Sequence, residues 1–182
     1  MIDACLELRR GIGSFGENEH TVLVRQAQAG DRPAFGELYQ RHARVVHGIL
    51  LAHVAPGDAE DLTQIVFVKA LEQLGSLRDA AAFGGWLIAI ARRAAADFHR
   101  QRKLEAIGPE HPGGPRPDRE AFAILDALRA LPEAYRETLI LRLVEGMTGP
   151  EIAARTGLTA ESVRVNLCRG MRRLREALGN QV

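Results

Sequence analysis

Arginines stand at positions 155, 164, 169, 172, 173 and 175 of the 182-residue chain, and Glu161 is the one acidic residue between 155 and 175. A guanidinium carries a rigid fork of donors that fits a guanine edge or a phosphate bidentately. A second basic block holds Arg92, Arg93, Arg100, Arg102 and Lys103 against Asp97. The whole chain nets only +1, so the two blocks are local features on a neutral background. They point to two contacts with a polyanion, and two solvated helix faces are the plainer account of the same charges.

A second set of residues suits association more than chemistry. In the stretch from Asp58 to Leu71, Leu62, Val66, Phe67, Ala70 and Leu71, with Leu74 just beyond, fall on one side of a helical wheel, while Ile65 and Val68 fall on the other side with Asp61 and Gln64. A helix that is apolar on two sides is either central to a large core or touched by a partner. About eighty residues make a small core, which favours a partner for Asp61, Gln64, Ile65 and Val68.

Catalytic and metal chemistry find little support. His42, His47 and His53 are not spaced three or four apart, and no carboxylate–histidine pattern accompanies them, so they read as solvated histidines. There is no glycine-rich phosphate loop and no serine elbow. Cys5 and Cys168 are the two cysteines, too few for a disulfide framework or a four-thiolate zinc site. Arginines near Cys168 would favour its thiolate and a redox switch, although a small groove-facing residue is the plainer account. No cofactor, no metal and no enzymatic activity are expected. No run of about 18 apolar residues offers a membrane span, the first residues lack the pattern of a secretion signal, and the expected compartment is the cytoplasm.

The elements that must position these residues are helices. Apolar–polar alternation is absent, and Ala, Leu, Arg and Glu dominate. The spacing predicts a helix over 21–29 closed by Gly30, and one over 34–51 capped by Asp31 with Pro33 in its first turn. Pro56-Gly57 reads as a break, Asp58 as the cap of a helix ending near Leu74, 75–78 as a loop, and Asp79 as the cap of a helix reaching about Lys103. Gly84-Gly85 conflicts with that last helix at about 1 kcal/mol per glycine relative to alanine, so packing must offset it or the helix starts later. Residues 108–117, GPEHPGGPRP, hold no regular helix and read as a flexible linker that tethers two independent domains. Beyond it, helices are expected over 118–130 and 133–145, with Gly146 closing the second. Thr148 to Glu151 forms a capping box for a short helix to Arg155, Gly157 makes a turn, and Thr159 caps a last helix to about Leu178.

The final pair reads as a helix-turn-helix, in which the second helix lies in the major groove. Ile152, Ala153 and Leu158 supply the core beneath the turn, and Val163, Leu167, Gly170, Leu174 and Leu178 the buried face of the last helix. Val165, Cys168, Arg169 and Arg172 face outward, flanked by Arg164 and Arg175. Arg164 and Arg169 suit guanine, Val165 a thymine methyl, and Arg172, Arg173 and Arg175 phosphates.

The stretch from Leu131 to Gly146, then Glu151-Ile-Ala and Val163-Arg164, resembles the C-terminal domain of the extracytoplasmic-function (ECF) group of sigma-70 factors, and Asp61-Leu-x-Gln64-x-x-Phe67 resembles the most recognisable stretch of sigma domain 2. The resemblance spans about 21–178. It departs from the family pattern at Gly149-Pro150 and Val165-Asn166, the second of which bears on base preference. It implies an all-α fold: an N-terminal extension (1–19), a helical bundle equivalent to sigma domain 2 (20–103), a linker (104–119) and a helix-turn-helix domain equivalent to sigma domain 4 (120–182). By resemblance, Asp61, Gln64, Ile65 and Val68 dock on the beta-prime clamp helices of core RNA polymerase. Ser76, Leu77 and Arg78, with Arg92, Arg93 and Arg100, engage the downstream (−10) promoter element. The last helix, with Arg164, Val165, Cys168, Arg169, Arg172 and Arg173, reads the upstream (−35) element, and its domain touches the beta flap. An anti-sigma protein is a further partner implied by resemblance alone. Trp86 reads as core more readily than as a stacking platform. The competing reading is a polymerase-independent helix-turn-helix regulator, which has no need of the 61–67 motif.

Overall fold

The computed structural model describes residues 19–105 and 119–179, and among them every regular element is helical. The expected linker at 108–117 and the N-terminal extension up to residue 18 lie outside the described residues.

The first half is a bundle. Helix α1 spans residues 19–28 and ends in a turn at Gly30, whose φ of 95° suits a residue without Cβ. Asp31 then caps α2 (Arg32–Leu51) by accepting a hydrogen bond from the Ala34 amide at 3.1 Å. Helix α3 (Pro56–Gln73) departs from the sequence expectation: it starts at Pro56, with Ala55 as its N-cap and no side-chain cap. Proline is at home in a first turn because its missing N–H would be unpaired there anyway. Asp58 lies inside that turn and pairs with Arg102 at 3.2 Å. A short 3-10 turn (Leu74–Ser76) follows, and Asp79 caps a second one (Ala80–Ala82) through the Ala81 amide at 2.9 Å. Helix α4 (Phe83–Glu105) therefore starts later than Asp79, with Gly84 and Gly85 in its first turn. Its last residues, Leu104 and Glu105, continue the helix where the linker was expected to begin.

The second half holds α5 (Arg119–Arg129), α6 (Glu133–Leu143), α7 (Gly149–Thr156) and α8 (Ala160–Gly179). The capping box at α7 forms: Thr148 Oγ1 accepts from the Glu151 amide at 3.4 Å, and the Thr148 amide donates to the Glu151 carboxylate at 2.7 Å. Gly157 closes α7 at φ 74°, and Thr159 Oγ1 accepts from the Ser162 amide at 3.1 Å to start α8.

The two halves pack on one another. Helix α6 lies against α2, and α7 against α4 and α2. Buried apolar residues from both halves, such as Ile49 and Leu50 with Leu139 and Leu141, join one cluster. Tethered domains with independent surfaces were expected; the described halves instead share an interface. The reason is visible on α6, where five successive residues, Glu137 to Leu141, are buried. A helix buried all round needs cover on both sides, and the second half alone covers one.

Candidate nucleic-acid interface

Helix α8 presents the face its spacing implies. Val163, Gly170 and Leu174 are buried, and Leu167 and Leu178 are half-buried against the core. Arg164, Cys168, Arg169, Arg172 and Arg175 are exposed, and Val165 is half-buried beside them. These side chains form a basic strip over successive turns, and among the described residues its ion pairs are long, Arg164–Glu161 and Arg172–Glu176, both at 4.0 Å. Exposed pairs at that distance hold an arginine weakly, so the strip is available to an anion. Two residues depart from expectation. Arg173 turns back over the Tyr135 ring at 5.7 Å, which commits it partly to packing on α6. Leu158 is 39% exposed and does not join the core beneath the turn, which rests on Ile152 and the half-buried Ala153. Arg155, counted with the basic block in sequence, faces the other half of the molecule and donates to the Arg41 carbonyl at 2.6 Å.

Around α4 the second basic block is split. Arg93 and Arg100 are exposed, Arg100 pairing with Asp97 at 2.9 Å. Arg92 instead donates to Glu137 at 2.9 and 2.6 Å and approaches Glu133 at 3.2 Å, so its guanidinium is held by α6. Ser76 and Arg78 are exposed on the loop before α4, with Ser76 Oγ donating to the Gln73 carbonyl at 2.7 Å. Leu77 is half-buried, and Gln28 Nε2 donates to the carbonyls of Leu74 and Leu77 at 3.0 and 2.7 Å, pinning that loop to α1. Trp86 is half-buried against Phe83, with ring centroids 5.8 Å apart.

On α3, Leu62, Val66, Phe67 and Ala70 are buried. Asp61, Gln64, Ile65 and Val68 are exposed together, as the wheel implied. Val68 is 58% exposed, and Leu71, expected in the core, is 51% exposed beside it. Residues 61, 64, 65, 68 and 71 follow the three- and four-residue spacing of one helix face, so Leu71 extends an apolar-and-amide strip that the bundle leaves uncovered.

His42, His47 and His53 are buried or half-buried and paired, not solvated. His42 is 2% exposed; its Nδ1–H donates to the Leu38 carbonyl at 3.1 Å, and its ring lies 5.1 Å from Phe83 and 5.2 Å from His20. Burial, with smaller repulsion from Arg155, His20 and Arg41, lowers its pKa to about 4. His47 Nδ1 meets Glu145 at 2.7 Å, and His53 Nε2 meets Glu137 at 3.1 Å. Both acids come from the far half of the chain, which is why spacing gave no sign of them. His53, Glu133 and Glu137 bring ligand-type atoms within 4.8 Å of one another, and the Arg92 guanidinium already supplies the positive charge there. Glu137 is 5% exposed. Burial pushes its carboxyl up, but hydrogen bonds from Arg92 and His53 outweigh this and hold it below its ordinary value.

Comparison with known proteins covers both halves. Residues 38–105 match the family model of sigma-70 region 2, and residues 121–174 that of sigma-70 region 4. The RNA polymerase sigma factor CarQ of Myxococcus xanthus is 36% identical over 160 residues, covering 82% of this chain and 92% of that protein. The ECF RNA polymerase sigma-E factor of Escherichia coli K12 is 31% identical over 181 residues, covering 88% and 93%. Among solved structures, CnrH in complex with the cytosolic domain of CnrY is similar at a TM-score of 0.60 and 26% identity, covering 90% of this chain and 99% of that one.

Proposed function

The chain belongs to the extracytoplasmic-function group of the sigma-70 family, and from that premise we propose how its surfaces divide the work of initiation. It is a DNA-binding transcription initiation factor that directs RNA polymerase to promoters. The bundle, residues 20–103, attaches to core polymerase through the exposed α3 strip of Asp61, Gln64, Ile65 and Val68, which Leu71 extends, against the beta-prime clamp helices. Ser76, Leu77 and Arg78, with Arg92, Arg93 and Arg100, engage the −10 element; an exposed loop beside a basic helix suits an extruded base and the freed strand. The second domain, residues 120–182, meets the beta flap and lays α8 in the major groove of the −35 element, with Arg164, Val165, Cys168 and Arg169 toward base edges and Arg172 and Arg173 toward phosphates. No step calls for chemistry on a substrate, so we take the protein as a binding factor acting in the cytoplasm, where its polymerase is. No helix among the described residues is long and apolar enough to cross a membrane. CnrH was solved with the cytosolic domain of a second protein, and we propose that an anti-sigma protein likewise binds this chain.

The observation that carries the division is the α3 strip: large apolar side chains stay exposed on a helix whose opposite face is buried. A regulator acting without polymerase has no use for it. Run-off transcription with core polymerase, with and without the protein, tests the reading. The wild type should yield promoter-dependent transcripts. Asp61→Ala with Gln64→Ala should reduce them at least tenfold with helicity and melting temperature unchanged. Full transcription by that double variant, with core binding intact, would remove the docking assignment.

A further inference from the structure

One side chain ties the loop before α4 to the first helix of the bundle. Gln28 stands in the last turn of α1 and is half-buried. Its Nε2 donates to the Leu74 carbonyl at 3.0 Å and to the Leu77 carbonyl at 2.7 Å, 46 and 49 residues further along the chain. A carboxamide nitrogen carries two hydrogens, so one side chain makes both bonds at once. An ionised carboxylate of the same shape would set acceptors against acceptors, and an apolar stem would leave both carbonyls without a protein donor from α1.

Those two carbonyls bracket the loop. Leu74 opens the 3-10 turn that follows α3, and Leu77 is its C-cap, with extended backbone. The remaining hydrogen bonds of the loop are local. The Leu77 amide donates to the Leu74 carbonyl at 3.1 Å, Ser76 Oγ to the Gln73 carbonyl at 2.7 Å, and the Ala81 amide to Asp79 at 2.9 Å. Each of these would survive if the loop pivoted as a unit. Leu74 is buried and Leu77 half-buried against the core, but apolar burial has no direction and does not decide where backbone groups point. Hydrogen bonds do, and the Gln28 pair fixes both carbonyls to a separate helix. Gly75, Ser76, Arg78 and Asp79 are left exposed.

A base drawn from its stack is held and told from others by hydrogen bonds in a shaped pocket. Such a pocket discriminates well when its groups are fixed before the base arrives, because a loop ordered only on binding loses affinity to the entropy of ordering. Residues that must stay exposed to meet a strand cannot order themselves by burial. A donor reaching the loop from inside the bundle can order them without covering them.

We infer that Gln28 is a positioning residue for the capture of the −10 strand: its carboxamide holds the Leu74 and Leu77 carbonyls so that the loop presents a fixed surface to an unpaired base. The role rests on the assignment of Ser76, Leu77 and Arg78 to the −10 element proposed above. Gln28 acts on base preference through the loop, whereas polymerase docking and −35 reading use other surfaces.

The test uses the full chain assembled with core polymerase. A preferred −10 strand is selected by the wild-type holoenzyme from randomised single strands, and binding is then measured on its single-base variants. Gln28→Glu should cut the preference at one or two adjacent positions by about fivefold or more, the lower end of what one well-made base contact contributes. Helicity, core binding and −35 duplex binding should not change. Hydrogen exchange at the loop amides should quicken by about tenfold. Gln28→Lys, whose ammonium offers donors to both carbonyls, should recover most of the preference. If the carboxylate unfolds the bundle, Gln28→Ala decides by the same profile, with an expected loss of about threefold, the size of a typical hydrogen bond. Arg78→Ala tests the loop itself and should weaken strand binding. An unchanged base profile in the folded Gln28 variants, or a loss shared equally by all strands, overturns the positioning role; the loop assignment survives if Arg78→Ala still weakens the strand. Strand binding that neither substitution alters overturns both.

Discussion

His42 shows how one residue links burial to acid sensitivity. Its neutral ring fills a space lined by Phe83 and His20, and the nearby charges, Arg155 and Arg41, are both positive. A pKa lowered to about 4 means that the unfolded chain binds a proton that the folded chain refuses. Stability from this residue is therefore fully present above about pH 6.5 and is lost as pH falls toward 4, an expected loss of about 3 kcal/mol by pH 4. Denaturant unfolding between pH 7 and pH 4 should show that slope, and His42→Phe should flatten it even if it changes the baseline. An equal slope in the variant would assign acid sensitivity to other groups. Nothing in the sequence announced this role. The pocket is assembled from α1, α2 and α4, and a histidine's spacing carries no record of what closes over it.

At the scale of single elements, α8 makes separable demands of its arginines. Arg169 is exposed on the strip without an ion pair among the described residues, whereas Arg172 sits one turn on beside Glu176 and Arg173 lies over Tyr135. With a preferred −35 sequence first selected from a randomised duplex pool, binding is measured on single-base variants at two salt concentrations. Arg169→Ala should lose about 1–3 kcal/mol of discrimination at one or two adjacent pairs. Arg172→Ala should weaken every variant alike and reduce the salt slope by about one unit. A uniform loss for Arg169→Ala would mean that α8 enters the groove in another orientation. The caps that start these helices were legible because they are local: Asp31, the Thr148–Glu151 box, Gly157 and Thr159 each act within four residues. The outer strip of α3 was legible for the same reason, since a wheel needs only its own helix. Leu71 and Leu158 were misread because a wheel cannot say where a neighbouring helix stops. The second buried face of α6 could have been read from its unbroken Leu139-Ile-Leu141 run, which exceeds what one face needs.

At the scale of the whole molecule, the relation between the domains was the least legible feature, because every group that makes it has its partner tens of residues away. The same relation yields a pH dependence. His47 of α2 donates to Glu145 at 2.7 Å; Arg44 also faces that carboxylate, at 3.7 Å, and Glu60 of α3 lies near enough to favour the imidazolium. The Glu145 hydrogen bond raises the His47 pKa above its ordinary value, outweighing the burial that lowers it. Unfolding withdraws Glu145 and returns His47 toward about 6.5. The folded form therefore binds the proton more tightly. Its stabilisation by this pair is fully present below about pH 6.5 and is lost as pH rises through the raised folded-state value. Denaturant unfolding at pH 6 and pH 8 in a His42→Phe background, which removes the opposing titration of that residue, should show greater stability at pH 6. His47→Gln in the same background should remove most of that difference. A difference of unchanged size in His47→Gln would show that the Glu145 pair does not carry the pH dependence.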